Sequence, residues 1–162
     1  MSKNIFLGLV VGLVALFAIS GTATAATDQA NLQINANVNA VGRITAVGDI
    51  NFGTYDPTDT NPLDQNGSVS YRVAKGVDYW VYISETSAGV REMAGSGADT
   101  LTFLLYKDSV GGTSWGIDSA TGISGTSAGN GTVTNTIFGR VPALQDVAVD
   151  NYAETLVITL EF

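Results

Sequence analysis

Apolar and polar residues alternate in many short runs along this chain, whereas no segment after residue 25 carries apolar residues at a sustained helical spacing. Glycine, proline, asparagine and aspartate separate the runs, which is typical of turns between short strands. Val69, Tyr71 and Val73, for example, alternate with serine and arginine and predict a strand with one buried face. The pattern as a whole predicts an all-β sandwich.

Two further apolar runs predict strands, and the first of them is the denser. Residues 77–83 place valine, tyrosine and isoleucine on one face and Trp80 and Tyr82 on the other. This run predicts a central strand that is covered on both sides. Residues 101–105 place leucine and phenylalanine on one face and predict a further strand.

The remaining interior segments predict one more strand and two long loops. Residues 133–138 predict a threonine-rich strand that ends at Gly139. Residues 56–67 contain two prolines and two asparagines, and residues 110–131 are rich in glycine, serine and threonine. Both compositions are typical of surface connections.

The composition excludes most catalytic and metal chemistry. The 162 residues include no histidine and no cysteine, so a Ser-His-Asp triad, a thiol nucleophile and cysteine-bound zinc are absent. The 15 acidic and 7 basic residues give a net charge of -8, which disfavours binding to nucleic acid. We therefore expect no enzymatic activity, no cofactor, no metal and no nucleic-acid partner.

Two other groups of residues could in principle form sites. Asp56, Asp59, Asn61 and Asp64 bring oxygen ligands together in one loop, but their spacing lacks the glycine and terminal glutamate of an EF-hand, which favours a solvated turn. The aromatic side chains could form a sugar-binding platform, although strand spacing favours core and cross-strand pairs. These aromatic residues are Tyr79, Trp80, Tyr82, Phe103, Tyr106 and Trp115.

The first 25 residues have the features of a secretory signal peptide. Lys3 precedes an apolar run over residues 5–19, and residues 23–25 (ATA) form a small-residue cleavage pattern. The run is shorter than the roughly 20 residues that a membrane span needs. We expect cleavage after Ala25, a secreted protein, and no membrane span in the mature chain.

Residues 30–40 hold the most regular alternation in the chain, with apolar side chains at every second position. One interpretation is a strand that pairs with its own sheet. The other is a donor strand that enters a groove in a neighbouring subunit, with alternate side chains in pockets. Burying Leu32, Ile34 and Val38 would contribute on the order of 5 to 9 kcal/mol before ordering costs. Ala36 is the fourth predicted donor position.

The last predicted strand covers residues 156–162. Leu156, Ile158, Leu160 and Phe162 share one face, and the alternation continues to the final residue. We expect this strand to leave a sheet edge open and to line the acceptor groove.

Several interior motifs occur in a characteristic order. They are FGTYDP (52–57), Arg91 with Met93, LTFLLY (101–106) with Asp108, WG (115–116), and GRVPA (139–143) with Gln145, Val147, Tyr152 and Thr155. In these motifs the chain resembles the spore coat protein U domain, the family of archaic chaperone-usher pilins. The resemblance extends from about residue 30 to residue 162.

The resemblance implies an incomplete immunoglobulin-like β-sandwich that is completed by a donor strand from a neighbouring subunit. It implies a homopolymer assembled with a periplasmic chaperone and an outer-membrane usher, forming a surface pilus for adhesion and biofilm formation. Together with the signal peptide (1–25) already predicted, the chain would then consist of a donor strand (26–40) and a pilin domain (41–162). The implied donor positions are Leu32, Ile34, Ala36 and Val38, and the implied groove edge is residues 156–162.

The chain departs from this family in one respect. The resemblance implies a disulfide between the first strand and the strand before the Lys-Gly turn, at positions that motif spacing places at Arg43 and Val73. Neither residue can form it. Two other classes of function remain open: a self-complete secreted module that binds a glycan or a protein, and a subunit of a coat or matrix layer.

Overall fold

The computed structural model describes residues 26–84 and 91–162, so the predicted signal peptide lies outside the described residues. The described chain contains eight strands and no helix. The strands are β1 (Gly42–Gly48), β2 (Leu63–Val73), β3 (Asp78–Ser84), β4 (Arg91–Ala94), β5 (Thr100–Tyr106), β6 (Ile123–Thr126), β7 (Val133–Val141) and β8 (Val157–Glu161). No membrane-spanning helix is found among these residues. The all-β prediction is confirmed.

The strands form two antiparallel sheets. The larger sheet has the order β1-β2-β7-β5-β4, and the smaller has the order β6-β3-β8. One core cluster contains buried side chains from both sheets, such as Val69 and Tyr71 on β2 and Val81 and Ile83 on β3. Two sheets packed face to face over a shared core make a β-sandwich.

The predicted alternations of β2 and β5 are confirmed. Val69, Tyr71 and Val73 are buried on β2, and their polar neighbours face outward. On β5, residues 101, 103 and 105 are buried in the same core. Tyr106, on the opposite face of β5, is also buried.

Both predicted long loops are shorter than expected. β2 already begins at Leu63, because residues 63–67 continue the ladder with β7 and Leu63 lies opposite Val141. Residues 110–131 contain β6, a short strand that pairs with β3. Turn-forming residue types dominate both segments, but pairing with a long neighbouring strand overrides the local propensity.

The predicted strand end at Gly139 is wrong, because β7 continues through this residue to Val141. A Cβ built on Gly139 would lie 2.9 Å from Cζ of Phe52 and 3.0 Å from the backbone oxygen of Gln65. Glycine therefore permits close packing of a side chain over a continuous strand at this position.

The implied disulfide positions do not face each other. Val73 lies opposite Gly42, whereas Arg43 lies opposite Arg72 on the outer face of the sheet. The register deduced from motif spacing is therefore wrong by one residue. Such a shift moves the side chain to the other face of the strand, which explains how Arg43 avoids the core.

The prediction that β3 is covered on both faces is also wrong for the described residues. β3 is central in the smaller sheet, and Val81 and Ile83 are buried on its inner face. Trp80 and Tyr82, on the outer face, are only half-buried and do not join the core cluster.

The chain divides into two compact units, Met1–Ala36 and Asn37–Phe162. The described part of the first unit, residues 26–36, forms no strand. The second unit contains all eight strands. The carbonyl oxygen of Val41 accepts a 2.8 Å hydrogen bond from the backbone N–H of Ala74, which directly follows β2 of the larger sheet.

Candidate functional site

Two strand edges lie next to each other without a strand between them. Among the described strands, β1 pairs only with β2, and β8 pairs only with β3, so each of them has one unpaired edge. No ladder within residues 26–84 and 91–162 joins β1 to β8, although the two strands are in contact. Free edges present unpaired N–H and C=O groups that can accept a further strand. We call the space between Gly42–Gly48 and Val157–Glu161 the acceptor groove.

The floor of the acceptor groove is apolar and only half-buried. Ile158 and Leu160 lie opposite Ile83 and Val81, which are fully buried. Ile44 on β1 packs against the same core and is also half-buried. The core side chains of a closed sandwich are covered on all sides. The half-buried Ile44, Ile158 and Leu160 therefore mark the place where the core remains open.

Leu156 and Phe162, the first and last residues of the predicted groove edge, occupy different environments. Leu156 precedes β8 and packs half-buried against the core. Phe162 follows β8 and is 49% exposed. Its ring lies over Gly42, since a Cβ built on Gly42 would lie 2.5 Å from Cδ1 of that ring. The ring of Phe162 therefore connects the two edge strands at one end of the acceptor groove.

The predicted donor positions are all exposed. Leu32 and Ile34 are each 84% exposed and Val38 is 88% exposed, and Ala36 is also exposed. Residues 26–40 form no strand, so the strand expected for this segment does not form within the single described chain. Large apolar side chains at every second position are thus left in water, which is unfavourable unless another surface covers them.

The opposite edge of the larger sheet is partly paired. The N–H of Ala94 at the end of β4 donates to the carbonyl of Ala153 (3.0 Å), and the N–H of Ala153 donates back to Ala94 (3.1 Å). This bridge covers part of β4.

Hydrogen bonds to neighbouring residues form turns in the oxygen-rich segment that precedes β2. Asp56 accepts hydrogen bonds from the backbone N–H and hydroxyl of Thr58, and these bonds hold the pKa of Asp56 below its ordinary value. Asp64 instead forms a bidentate pair with Arg140, at 2.6 and 2.7 Å. Within the described ranges, no group of three or more acidic side chains is placed to hold a metal.

A cavity of about 630 Å³ lies beside β5, under the connection that follows it. Arg91 is 8% exposed at this cavity and donates from Nη2 to the carbonyl of Trp115 (2.9 Å). Trp115 is 1% exposed. The sequence places Trp115 in the segment 110–131, within a family motif and among the aromatic residues, and no local pattern in the sequence indicates a cavity there.

Comparison with known proteins agrees with this architecture. Residues 26–159 match the Spore Coat Protein U domain. The chain is also 32% identical to Protein U of Myxococcus xanthus, over 86% of this chain and 88% of that protein. The chain belongs to the spore coat protein U domain family. This confirms the resemblance found in the interior motifs.

A solved structure shares the fold of this spore coat protein U domain. It is the CsuC–CsuE chaperone–tip adhesion subunit pre-assembly complex from the archaic chaperone-usher Csu pili of Acinetobacter baumannii. The TM-score is 0.54 at 21% sequence identity, and the match covers 77% of this chain. This chain spans 40% of the length of the matched chain. The likeness confirms the sandwich fold expected for a chaperone-usher pilus subunit.

Proposed function

We propose that this protein is a structural subunit of a surface pilus that polymerises by donor-strand complementation. Residues 26–40 of one subunit enter the acceptor groove of the next, with Leu32, Ile34, Ala36 and Val38 as the inward donor positions. Leu156, Ile158, Leu160 and Phe162 line the accepting edge. The subunit has no catalytic role and needs no cofactor.

One observation carries this proposal. The same chain has an apolar groove between two free strand edges and an exposed segment with alternating apolar side chains. A strand in the groove would pair with free backbone groups and cover Ile44, Ile158 and Leu160. The segment supplies alternate apolar side chains of the kind that such a groove would bury.

Export and assembly belong to the same proposal. Residues 1–25 act as a cleaved signal peptide, the mature chain is 26–162, and its pilin domain begins at residue 41. A periplasmic chaperone covers the open groove in transit, and an outer-membrane usher exchanges it for the next donor strand. The match to a chaperone–subunit complex supports this route. The fibre at the cell surface serves adhesion and biofilm formation.

The test compares two substitutions that add the same charge at adjacent donor positions. Ile34→Asp places a carboxylate in the groove, where it would be buried without a partner. Asn35→Asp places it at the alternate, outward position. We expect Ile34→Asp to abolish fibres in the sheared surface fraction, measured by electron microscopy and unheated gel electrophoresis, while secretion continues. Asn35→Asp should leave fibres intact.

Normal fibres from Ile34→Asp would contradict the donor assignment. A wild-type protein that is secreted as a stable monomer would favour the self-complete binding module, which needs residues 26–40 in cis or not at all. Recovery of the polymer from a coat fraction, without surface fibres, would favour a coat or matrix subunit, which the family's description also names. Polymerisation by residues 26–40 would be unchanged in that case.

A further inference from the structure

The outer face of the smaller sheet carries two aromatic side chains outside the core. Trp80 and Tyr82 alternate along β3 with the buried Val81 and Ile83. Both aromatic side chains are half-buried, and neither packs against the core cluster. Among the described residues, neither the indole N–H of Trp80 nor the hydroxyl of Tyr82 has a hydrogen-bond partner. Both polar groups therefore remain available to a ligand.

Oxygen-bearing side chains surround this aromatic pair. The ladders place Ser124 of β6 and Glu161 of β8 beside Trp80, and Thr159 of β8 beside Tyr82. Asp78 precedes Trp80 on the same face and accepts a 2.5 Å hydrogen bond from the hydroxyl of Thr126. The strands β3, β6 and β8 contain no lysine or arginine.

We propose that this face binds a neutral glycan. We call it the aromatic face and define it by Trp80, Tyr82, Ser124, Thr159 and Glu161. Pyranose rings present flat C–H surfaces that stack on aromatic rings, while their hydroxyls bond to carboxylates, hydroxyls and N–H groups. The carboxylate of Glu161 on this face and the net charge of -8 disfavour anionic glycans.

An extension of the aromatic face rests on the proposed function. A donor strand paired with β8 would add a fourth strand to the smaller sheet. With the apolar donor positions turned inward, Gln33, Asn35 and Asn37 of the neighbouring subunit would lie on the same face as Thr159 and Glu161. Amide side chains both donate and accept hydrogen bonds, as sugar hydroxyls require. The assembled fibre would thus offer a wider glycan surface than one subunit.

The chain provides its own probe for binding at this face. It has two tryptophans, and Trp115 is 1% exposed in the core. Because Trp115 lines the cavity beside β5, a change in tryptophan fluorescence that Trp80→Ala abolishes would report on Trp80. We expect a saturable change when fibres are titrated with cellohexaose, a neutral β-linked glucose hexamer, and no change with the anionic oligogalacturonate of equal length.

Substitutions then locate the site by calorimetry. Trp80→Ala or Tyr82→Ala should weaken cellohexaose binding by about tenfold or more, as expected for an aromatic anchor. Phe138→Ala is the matched control, since Phe138 is a half-buried aromatic outside the core cluster on the other sheet. The melting temperature of each variant shows that it remains folded. Equal losses from Phe138→Ala and Trp80→Ala, or no saturable binding by wild type, would overturn the proposal.

The extension is tested separately from polymerisation. In the wild-type protein, Asn35→Ala should weaken cellohexaose binding by fibres. In the Ile34→Asp variant, which does not assemble, adding Asn35→Ala should leave cellohexaose binding by the subunit unchanged. Equal affinity of wild-type fibres and unassembled subunits would overturn the extension. Binding by subunits that never form fibres under any condition would contradict the proposed pilus and support the glycan site on its own.

Discussion

The ring of Phe162 lies directly over Gly42. A Cβ built on Gly42 would lie 2.5 to 2.9 Å from three atoms of that ring, so no larger residue fits there without a shift. Gly42 also lies opposite Val73, one of the two positions where the family resemblance implied a disulfide. In this cysteine-free chain, the contact between Phe162 and Gly42 links the two edge strands without a covalent bond.

Enlarging Gly42 should destabilise the domain. Gly42→Ala forces the ring of Phe162 or the start of β1 to move. Because Phe162 is 49% exposed and its ring can shift, we expect the free energy of unfolding to fall by about 1 kcal/mol. Chemical denaturation of the mature protein measures this change. Gly129→Ala is the matched control, because nothing lies within 4 Å of a Cβ at Gly129.

A double substitution shows whether the ring is the cause. In Phe162→Ala the ring is absent, so adding Gly42→Ala should cost much less than it does in wild type. A cycle in which the two effects are additive would mean that Gly42 matters for another reason, such as backbone conformation.

The missing strand should be replaceable by a peptide. A protein that starts at residue 41 should gain stability from a synthetic peptide of residues 29–40, by about 2.7 kcal/mol at 100 times the dissociation constant. The rise in melting temperature with peptide concentration measures this linkage. A peptide with Leu32→Ser and Ile34→Ser should have little effect. A domain whose melting ignores both peptides would already be complete.

Stability should fall in acid partly through Asp64. The hydrogen bond from Arg140, opposed by partial burial and aided by charge attraction, holds the pKa of Asp64 below its ordinary value of 3.8. A lowered folded-state pKa means that the stabilisation is complete above the unfolded-state pKa and disappears as the pH falls through the folded-state pKa. The pair is partly exposed, so we expect only about 0.2 to 1 kcal/mol.

This contribution can be isolated by comparing wild type with Asp64→Asn. The free energy of unfolding, measured at pH 7 and near pH 2, should differ less between the two conditions in the variant. High salt at pH 7 should reduce the gap between the two proteins. An identical pH dependence of both proteins would show that the ion pair contributes nothing measurable.

Alternation along the chain predicted the strands that are long or strongly apolar. Val69, Tyr71 and Val73 are a clear example. Successive side chains of a strand point to opposite faces, so every second residue is buried. β6 and the first part of β2 were missed because their glycine-rich or polar composition is typical of turns. The partner strand, which lies far along the chain, stabilises them as strands.

For the candidate site, the donor and groove residues were predicted from alternation and family resemblance, whereas their surroundings were not. The period of two placed Ile158 and Leu160 on one face without indicating that the adjacent edge is free. The same period placed Trp80 and Tyr82 together but could not show that their side of the sheet lies outside the core. Whether the second face of β3 is buried depends on residues far along the chain that pack against it.

The sequence by itself determined that this protein is all-β, that it lacks thiol and imidazole chemistry, and that residues 30–40 alternate as a donor strand would. These are properties of composition and of neighbouring residues. The tertiary structure alone decided that β1 and β8 end up side by side with free edges, that Phe162 covers Gly42, and that the aromatic face points away from the core. The reason is that strand order and register are set by contacts between residues far apart in the chain, which local periodicity does not encode.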